Sequence, residues 1–270
     1  MHSGKVLLTF DLEEFDVPNE YGSNLPWEEQ LMIGRKGMDA VTEVLDTHKI
    51  PVTIFTTAAY ATENSEQVRA LALKHEIASH TYYHSHFENQ DLLQSKSTLE
   101  EITGKQVYGL RMPRMKPIDM ALVNEAGYIY DSSINPTFIP RKYNNLHLPK
   151  TLYKQQQVYR LPCSVSPALR IPLFWLTFKN FPYFLYRRLA LNALKKYGYL
   201  NLYFHPWEFT DISSYNLPNY VKRHSGNELV ERLHRLIIDL GKEGSFETMN
   251  DFLQKQVNTA NNTPHLQATT

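Results

Sequence analysis

The sequence contains little that would support a disulfide framework, a membrane span or attraction to polyanions. Its single cysteine, Cys163, excludes an intramolecular disulfide, and we interpret it as a small buried hydrophobe rather than a nucleophile. No stretch reaches the ~18 uninterrupted apolar residues that a spanning helix needs. Lys and Arg together number 28, as do Asp and Glu, so no net charge draws the chain to nucleic acid.

Length and composition favour one globular domain. At 270 residues the chain suits a single barrel of alternating strands and helices. Residues 1–10 lead into a strand-like apolar run and do not have the pattern of a signal peptide. We therefore expect a cytoplasmic protein. The polar segment 256–270 is expected to be a flexible tail, which leaves 1–255 as the domain.

Short apolar runs alternate with longer helical patterns along the chain. Strands are predicted at 5–10, 52–57, 76–79, 107–111, 129–131, 158–162 and 199–204. Helical patterns cover 41–48, 70–74, 121–126 and 229–240. Strand and helix alternating at this spacing predict parallel βαβ units. About seven such units favour an α/β fold with a distorted (β/α) barrel over an open sheet.

One stretch, 169–186, is unusually aromatic and is interrupted by Pro172 and Pro182. In one interpretation it is a buried loop and helix that cover the barrel. In the other it is an exposed apolar rim that contacts a lipid-linked substrate or a membrane surface. The sequence leaves both interpretations open.

Polar side chains cluster where the predicted strands end. The clusters are Asp11–Asp16, His80–His84, Arg111–Pro113, Asp131–Ser133 and His205–Glu208. In a barrel of parallel strands the carboxyl ends share one face, so these groups are expected to converge there.

Two of these clusters have the composition of a metal site. His80 and His84 are four residues apart, which in a helical turn places both rings on one side, suitable for one metal ion. Asp11 and Glu13 flank Leu12, so both carboxylates are expected on the same face of a strand end. One could bind a cation while the other acts as a base. The neighbouring acids Glu14 and Asp16 are expected in solvent, and the nearby His86 is expected to be solvated or close to the substrate.

Four motifs occur in a fixed order along the chain. They are Thr9-Phe10-Asp11 followed by an acid, His80-Thr81-x-x-His84, Arg111-x-Pro113, and Leu202-x-x-His205-Pro206. This ordered set resembles the NodB-type polysaccharide deacetylases, carbohydrate esterase family 4. The resemblance implies a distorted (β/α) barrel with one divalent metal, in the first place Zn²⁺, with Co²⁺, Fe²⁺ or Ni²⁺ as alternatives. It also implies hydrolysis of the N-acetyl group of an amino sugar.

The resemblance also implies roles for individual residues. Asp11 matches the general base, and His80 and His84 match two metal ligands. Leu12 stands where the family usually has its metal-binding Asp, which resembles the acid-x-acid subgroup. Glu13 is then the third ligand, with Glu14 as the competing assignment.

The remaining matches concern the acid, its supports and the substrate pocket. His205 matches the general acid and Arg111 the arginine that holds the base, while Asp131 is a candidate to orient His205. Substrate-binding positions implied by the resemblance are Tyr82, whose backbone N–H would face the oxyanion, together with Pro113 and Trp207. The segment Met112-Pro113-Arg114 departs from the glycine-bearing version of the family motif, so a different groove wall is expected there.

Three other functions compete with a deacetylase of N-acetylated glycans or lipid-linked sugars. The same barrel could hydrolyse a small non-sugar amide or a cyclic ureide, or it could be a catalytically silent sugar-binding relative. A pair of carboxylates for glycoside hydrolysis would leave His80 and His84 unexplained. No nucleic-acid partner is expected, whereas 169–186 could provide peripheral membrane contact.

Overall fold

A parallel sheet curled into a half-barrel forms the centre of the computed structural model, which describes residues 4–140 and 142–262. Its main strands are β1 (Gly4–Leu12), β2 (Thr53–Thr56), β3 (Glu76–Ser79), β4 (Gly109–Leu110), β5 (Tyr130–Asp131), β9 (Val158–Arg160) and β10 (Tyr199–Phe204). Within these ranges the seven strands lie in the order β10-β1-β2-β3-β4-β5-β9, and every neighbouring pair is parallel. The predicted α/β barrel is confirmed.

Shorter strands complete this framework. They are β6 (Phe138–Ile139) and β7 (Tyr143–Asn144), which form a hairpin, β8 (Tyr153–Gln155), and β11 (Gly244–Phe246). β8 is antiparallel to β9, and β11 is parallel to the start of β1. Segments this short carry too few residues for a periodic pattern, so the sequence did not predict them. Between the ends of the sheet, the backbone N–H of Ser164 donates to the carbonyl of Asn201 at 2.8 Å.

Helices pack around the sheet, most of them on its outer face. They are α1 (Trp27–His48), α2 (Ala58–Glu63), α3 (Ser65–Ala72), α4 (Asp91–Thr103), α5 (Met120–Glu125), α6 (Trp175–Asn180), α7 (Tyr183–Tyr197), α8 (Asn219–Lys222), α9 (Asn227–Gly241) and α10 (Met249–Asn262). None of the helices described here has the length and apolar character to cross a membrane. Helix α10 includes 256–262, which were expected to be a flexible tail, while 263–270 lie outside the described residues.

Alternation along β1 explains how the barrel interior and the helix-facing core are separated. Leu7 packs with the inner aromatic cluster, whereas Leu8 and Phe10 belong to the core under the helices. Thr9 and Asp11 are therefore on the same face as Leu7, because alternate residues of a strand point to opposite sides. Phe252 of α10 joins the inner cluster. The polar residues lie at the carboxyl ends of the strands.

Two glycines of α1 allow this helix to lie directly against the loops that carry polar residues. A Cβ on Gly37 would lie 2.0 Å from the carbonyl oxygen of Pro206, and one on Gly34 would lie 2.8 Å from that of Glu13. No other residue type leaves room for this approach. Helix α1 therefore supports the loops after β1 and β10.

The aromatic stretch 169–186 is buried in one part and exposed in another. Phe178 and Tyr186 are buried in the main core, in agreement with a segment that covers the barrel. Leu169 and Phe184 are 79% and 74% exposed.

Candidate active site

Three potential metal ligands converge at the carboxyl ends of β1 and β3. Oε2 of Glu13 lies 3.0 Å from Nε2 of His80 and 3.2 Å from Nε2 of His84. All three side chains are buried, and their ligand atoms lie within 4.8 Å of one another. The expected helical turn between the histidines is wrong, because Thr81 has a φ of 65° and the segment is a loop. This loop nevertheless stacks the two rings, with centroids 5.7 Å apart.

Nδ1 of each histidine has a hydrogen-bond partner, and this contact orients the ring so that Nε2 faces Glu13. Nδ1 of His80 lies 2.7 Å from the carbonyl oxygen of Arg111, and Nδ1 of His84 lies 2.6 Å from Oδ1 of Asp16. In a neutral ring Nδ1 then carries the proton, and Nε2 presents a lone pair. Within the described chain Oε2 of Glu13 has no hydrogen-bond partner. Three electron-pair donors that face one another in a buried site fit a divalent cation.

The electrostatics of this cluster also favour a cation. Burial lowers the pKa of His84, but the negative charges of Glu13 and Asp16 have the larger, opposite effect. The net result is a pKa raised to about 9. Burial raises the pKa of Glu13, yet His84 and His80 hold it well below its usual range. The site therefore has a strongly negative electrostatic potential, which favours the binding of a proton or of a metal cation.

Glu14 and Asp16 are buried, so the expectation that both lie in solvent is wrong. Oε2 of Glu14 accepts a hydrogen bond from Thr57 at 2.5 Å, and its Oε1 accepts one from the backbone N–H of His84 at 3.2 Å. Burial raises the pKa of Glu14. Asp16 binds His84 and also accepts from Nη2 of Arg114 at 3.0 Å. Both acids thus support His84, and the geometry favours Glu13 over Glu14 as the ligand.

Asp11 and Arg111 form a buried ion pair inside the barrel. Nη1 of Arg111 donates to Oδ1 of Asp11 at 2.6 Å and to Thr9 at 2.9 Å, while Nη2 donates to Ser132 at 2.9 Å. The guanidinium also lies over the ring of Phe55, 4.0 Å from its centroid. These contacts fix the direction of the Asp11 carboxylate at the edge of the cavity.

His205, at the end of β10, is oriented by Glu208. Both the backbone N–H and Nδ1 of His205 contact Oε1 of Glu208, at 3.0 and 3.2 Å. Burial lowers the pKa of His205, but Glu208 and Glu13 outweigh this effect and raise it. Asp131, expected as the orienting acid, instead accepts from Arg160 at 2.9 Å and binds Ser133. The sequence signal that could have identified Glu208 is its position three residues after His205, at the start of a turn.

The three potential ligands, Asp11 and His205 share one cavity of about 360 Å³. It is lined by Asp11, Glu13, His80, His84, His205, Trp207, Arg114 and several aromatic and aliphatic side chains. Trp207 stacks on His205 with centroids 4.9 Å apart and donates from Nε1 to Oε1 of Glu13 at 3.1 Å.

The other two expected substrate contacts, Tyr82 and Pro113, are not among the described residues that line the cavity. Tyr82 packs on Tyr83, with ring centroids 4.9 Å apart. Pro113 is buried at the start of a short 3-10 turn. The following residues of that turn, Arg114 and Met115, line the cavity in its place.

Cys163 is buried beside this site. Burial raises the pKa of its thiol to about 12. It is therefore a buried thiol that stays protonated, in agreement with the predicted small buried side chain.

Comparison with known proteins agrees with the motif resemblance. Residues 2–129 match the family model "Polysaccharide deacetylase". No curated protein matches the chain. A putative polysaccharide deacetylase from Mycobacterium smegmatis is 18% identical with a TM-score of 0.65, over 98% of this chain and 93% of that one.

Two further solved structures have the same fold. A probable polysaccharide deacetylase from Pseudomonas aeruginosa PAO1 is 17% identical with a TM-score of 0.68, over 94% of this chain and 91% of that one. Puue allantoinase is 18% identical with a TM-score of 0.68, over 94% of this chain and 90% of its own. The similarity of fold thus extends well beyond residues 2–129.

Proposed function

We propose that the chain, whose residues 2–129 match the polysaccharide deacetylase family model, is a metal-dependent hydrolase. Its substrate is an N-acetylated amino sugar of a polysaccharide or of its lipid-linked precursor. The observation that carries the proposal is the shared cavity, which brings the cluster of Glu13, His80 and His84 together with Asp11 and His205. A catalytic metal site that keeps open positions beside a base and an acid is suited to hydrolysis of an amide.

Glu13, His80 and His84 would hold the divalent ion, which when bound supplies a more acidic water and polarises the acetyl carbonyl. Asp11 accepts the proton of the attacking water, because its carboxylate lies at the same cavity. Nη1 of Arg111 donates to Oδ1 of Asp11 at 2.6 Å and holds that carboxylate in a fixed orientation.

His205 donates a proton to the departing amine, which cannot leave as an anion. Its Nδ1 is occupied by Glu208, so the other ring nitrogen is the one available to substrate. The raised pKa of His205 favours the protonated, donating form. Trp207 covers one face of the ring and fixes its orientation.

Acetate release from a panel of N-acetylated oligosaccharides, with and without a chelator, tests this function. We expect chelator-sensitive release that Zn²⁺ restores, with Co²⁺, Fe²⁺ and Ni²⁺ compared in parallel. His80→Ala should abolish metal binding and release. His86→Ala is the matched control, because His86 is exposed and lies outside the ligand cluster. No acetate from any sugar with the metal-loaded protein would refute the deacetylase proposal.

A second candidate is hydrolysis of a small amide or a cyclic ureide. Its support is the shared fold with Puue allantoinase, at a TM-score of 0.68. The residues proposed for amide hydrolysis do not by themselves select a sugar. Including allantoin and small N-acyl amines in the panel separates the two: chelator-sensitive turnover of these compounds without acetate release from sugars would favour the second candidate. Sugar binding without turnover would indicate a silent relative.

A further inference from the structure

Helix α6 of the aromatic stretch carries a lysine that is buried behind the cavity. The Lys179 side chain is 0% exposed, and its Nζ lies 2.9 Å from Oε2 of Glu208. Nζ also donates to the carbonyl of Val221 at 2.8 Å and to Ser225 at 3.1 Å. Lysine is almost never fully buried without a partner, so the position of this ammonium group requires an explanation.

Glu208 joins this lysine to His205. Its Oε1 contacts the backbone N–H and Nδ1 of His205, while its Oε2 faces Lys179, and the side chain is 0% exposed. The rings of Trp175 and Trp207 lie 5.8 and 5.9 Å from Nζ. Burial raises the pKa of Glu208, but Lys179 and His205 together lower it below the usual value. A cation, an anion and an imidazole are therefore connected in series.

We propose that Lys179 is a positioning residue that acts through Glu208 on His205. Without the ammonium group, a fully buried carboxylate would become protonated or would hold the imidazole permanently as its counter-ion. With it, Glu208 remains an anion whose charge is already balanced. His205 then keeps its Nδ1 hydrogen bond and can still release a proton from its other nitrogen. This inference rests on the proposed role of His205 as the acid.

The arrangement also gives the aromatic stretch a function. Trp175 and Lys179 are one turn apart on α6, and Trp175 lines the cavity with its ring 5.0 Å from that of His205. Residues four apart share one face of a helix. α6 therefore contributes both a ring to the cavity and the ammonium group behind it.

Lys179→Met, which keeps most of the side-chain volume without its charge, tests the proposal by steady-state kinetics. We expect kcat to fall by about tenfold or more with KM within about twofold, because a step in the transition state is affected rather than binding. Arg187→Met is the matched control: Arg187 pairs with Asp239 and its side chain is 39% exposed, so kcat should be unchanged.

The double variant Lys179→Met/Glu208→Gln measures how much of the loss comes from leaving a carboxylate buried without its cation. Removing both charges eliminates the unpaired buried carboxylate, so the thermal midpoint should return toward that of the wild type while kcat stays low. Recovery of kcat together with the midpoint would overturn the proposal, because Lys179 would then only balance a buried charge.

A readout independent of turnover is the ¹⁵N NMR titration of the His205 ring in the Zn²⁺-loaded chain. His205 faces Glu208, and the charges of Glu13 and Asp11 also act on it. Removal of the Lys179 cation should move the midpoint of His205, to higher pH where Glu208 stays ionised and to lower pH where Glu208 becomes protonated, and an unchanged midpoint would overturn the proposal. If the wild type releases no acetate but this shift occurs, the proposed function fails while the action of Lys179 on His205 stands.

Discussion

Oδ1 of Asp16 lies 2.6 Å from Nδ1 of His84, so a buried carboxylate fixes the ring whose other nitrogen faces Glu13. Asp16→Asn should therefore weaken metal binding by about 10–100-fold, the usual cost of losing a carboxylate behind a histidine ligand. Competition against a chromophoric chelator measures this affinity. The exposed Glu28→Gln is the control. An unchanged affinity in Asp16→Asn would mean that the contact does not support the ligand.

Metal binding should displace a proton from His84. In the metal-free protein Glu13 and Asp16 raise the pKa of this ring to about 9, against the lowering effect of burial. A metal ligand must be neutral, so below pH 9 the apparent affinity should rise with pH and about one proton should be released at pH 7. Calorimetry in buffers of different ionisation enthalpy counts that proton. Zero release would contradict the assignment of His84 as a ligand.

Asp11→Asn should retain the metal and lose turnover. Asp11 is outside the ligand cluster, and loss of a general base costs on the order of 10²–10⁴ in rate. The variant also leaves Arg111 as an uncompensated buried charge, so some loss of thermal stability is expected. Metal content and kcat are measured on the same preparation. Asp211→Asn, at an exposed loop carboxylate, is the isosteric control, and full activity in Asp11→Asn would refute its role as the base.

Residues that belong to a strand or follow it directly could be predicted from the sequence. The period of two along β1 places Asp11 on the inner face, and parallel strands bring His80 and His205 to the same edge as Glu13. These positions follow from local pattern and chain direction alone.

Contacts between loops could not be predicted in the same way. The support of His84 by Asp16 depends on a loop in which Thr81 has a φ of 65°, and Arg114, which binds Asp16, has a φ of 56°. These left-handed positions are not glycines, so no sequence signal marks them. Glu208 was passed over in favour of Asp131 because the structure of the turn after His205 decides which acid reaches the ring.

Gly37→Ala should displace the loop that carries His205. A methyl group there would meet the Pro206 carbonyl at 2.0 Å, so overpacking should cost about 1–3 kcal/mol and kcat should fall by about 10²-fold. Urea unfolding and initial rates measure the two effects. Gly241→Ala, where the nearest atom is 3.8 Å away, is the control and should change stability by less than about 1 kcal/mol. Normal activity in Gly37→Ala would show that α1 does not position the loop.

His75 should make the fold sensitive to acid. It is buried, neither ring nitrogen has a hydrogen-bond partner among the residues described, and burial lowers its pKa from 6.5 to about 4. Because the folded protein resists protonation of this ring, its contribution to stability is complete above pH 6.5 and is lost as the pH falls toward 4. At pH 5 the loss should be about 2 kcal/mol. Urea unfolding of the wild type and of His75→Gln at pH 7 and pH 5 checks this, with the exposed His147→Gln as control. If all three proteins lose equal stability between these pH values, His75 is not the source of the acid sensitivity.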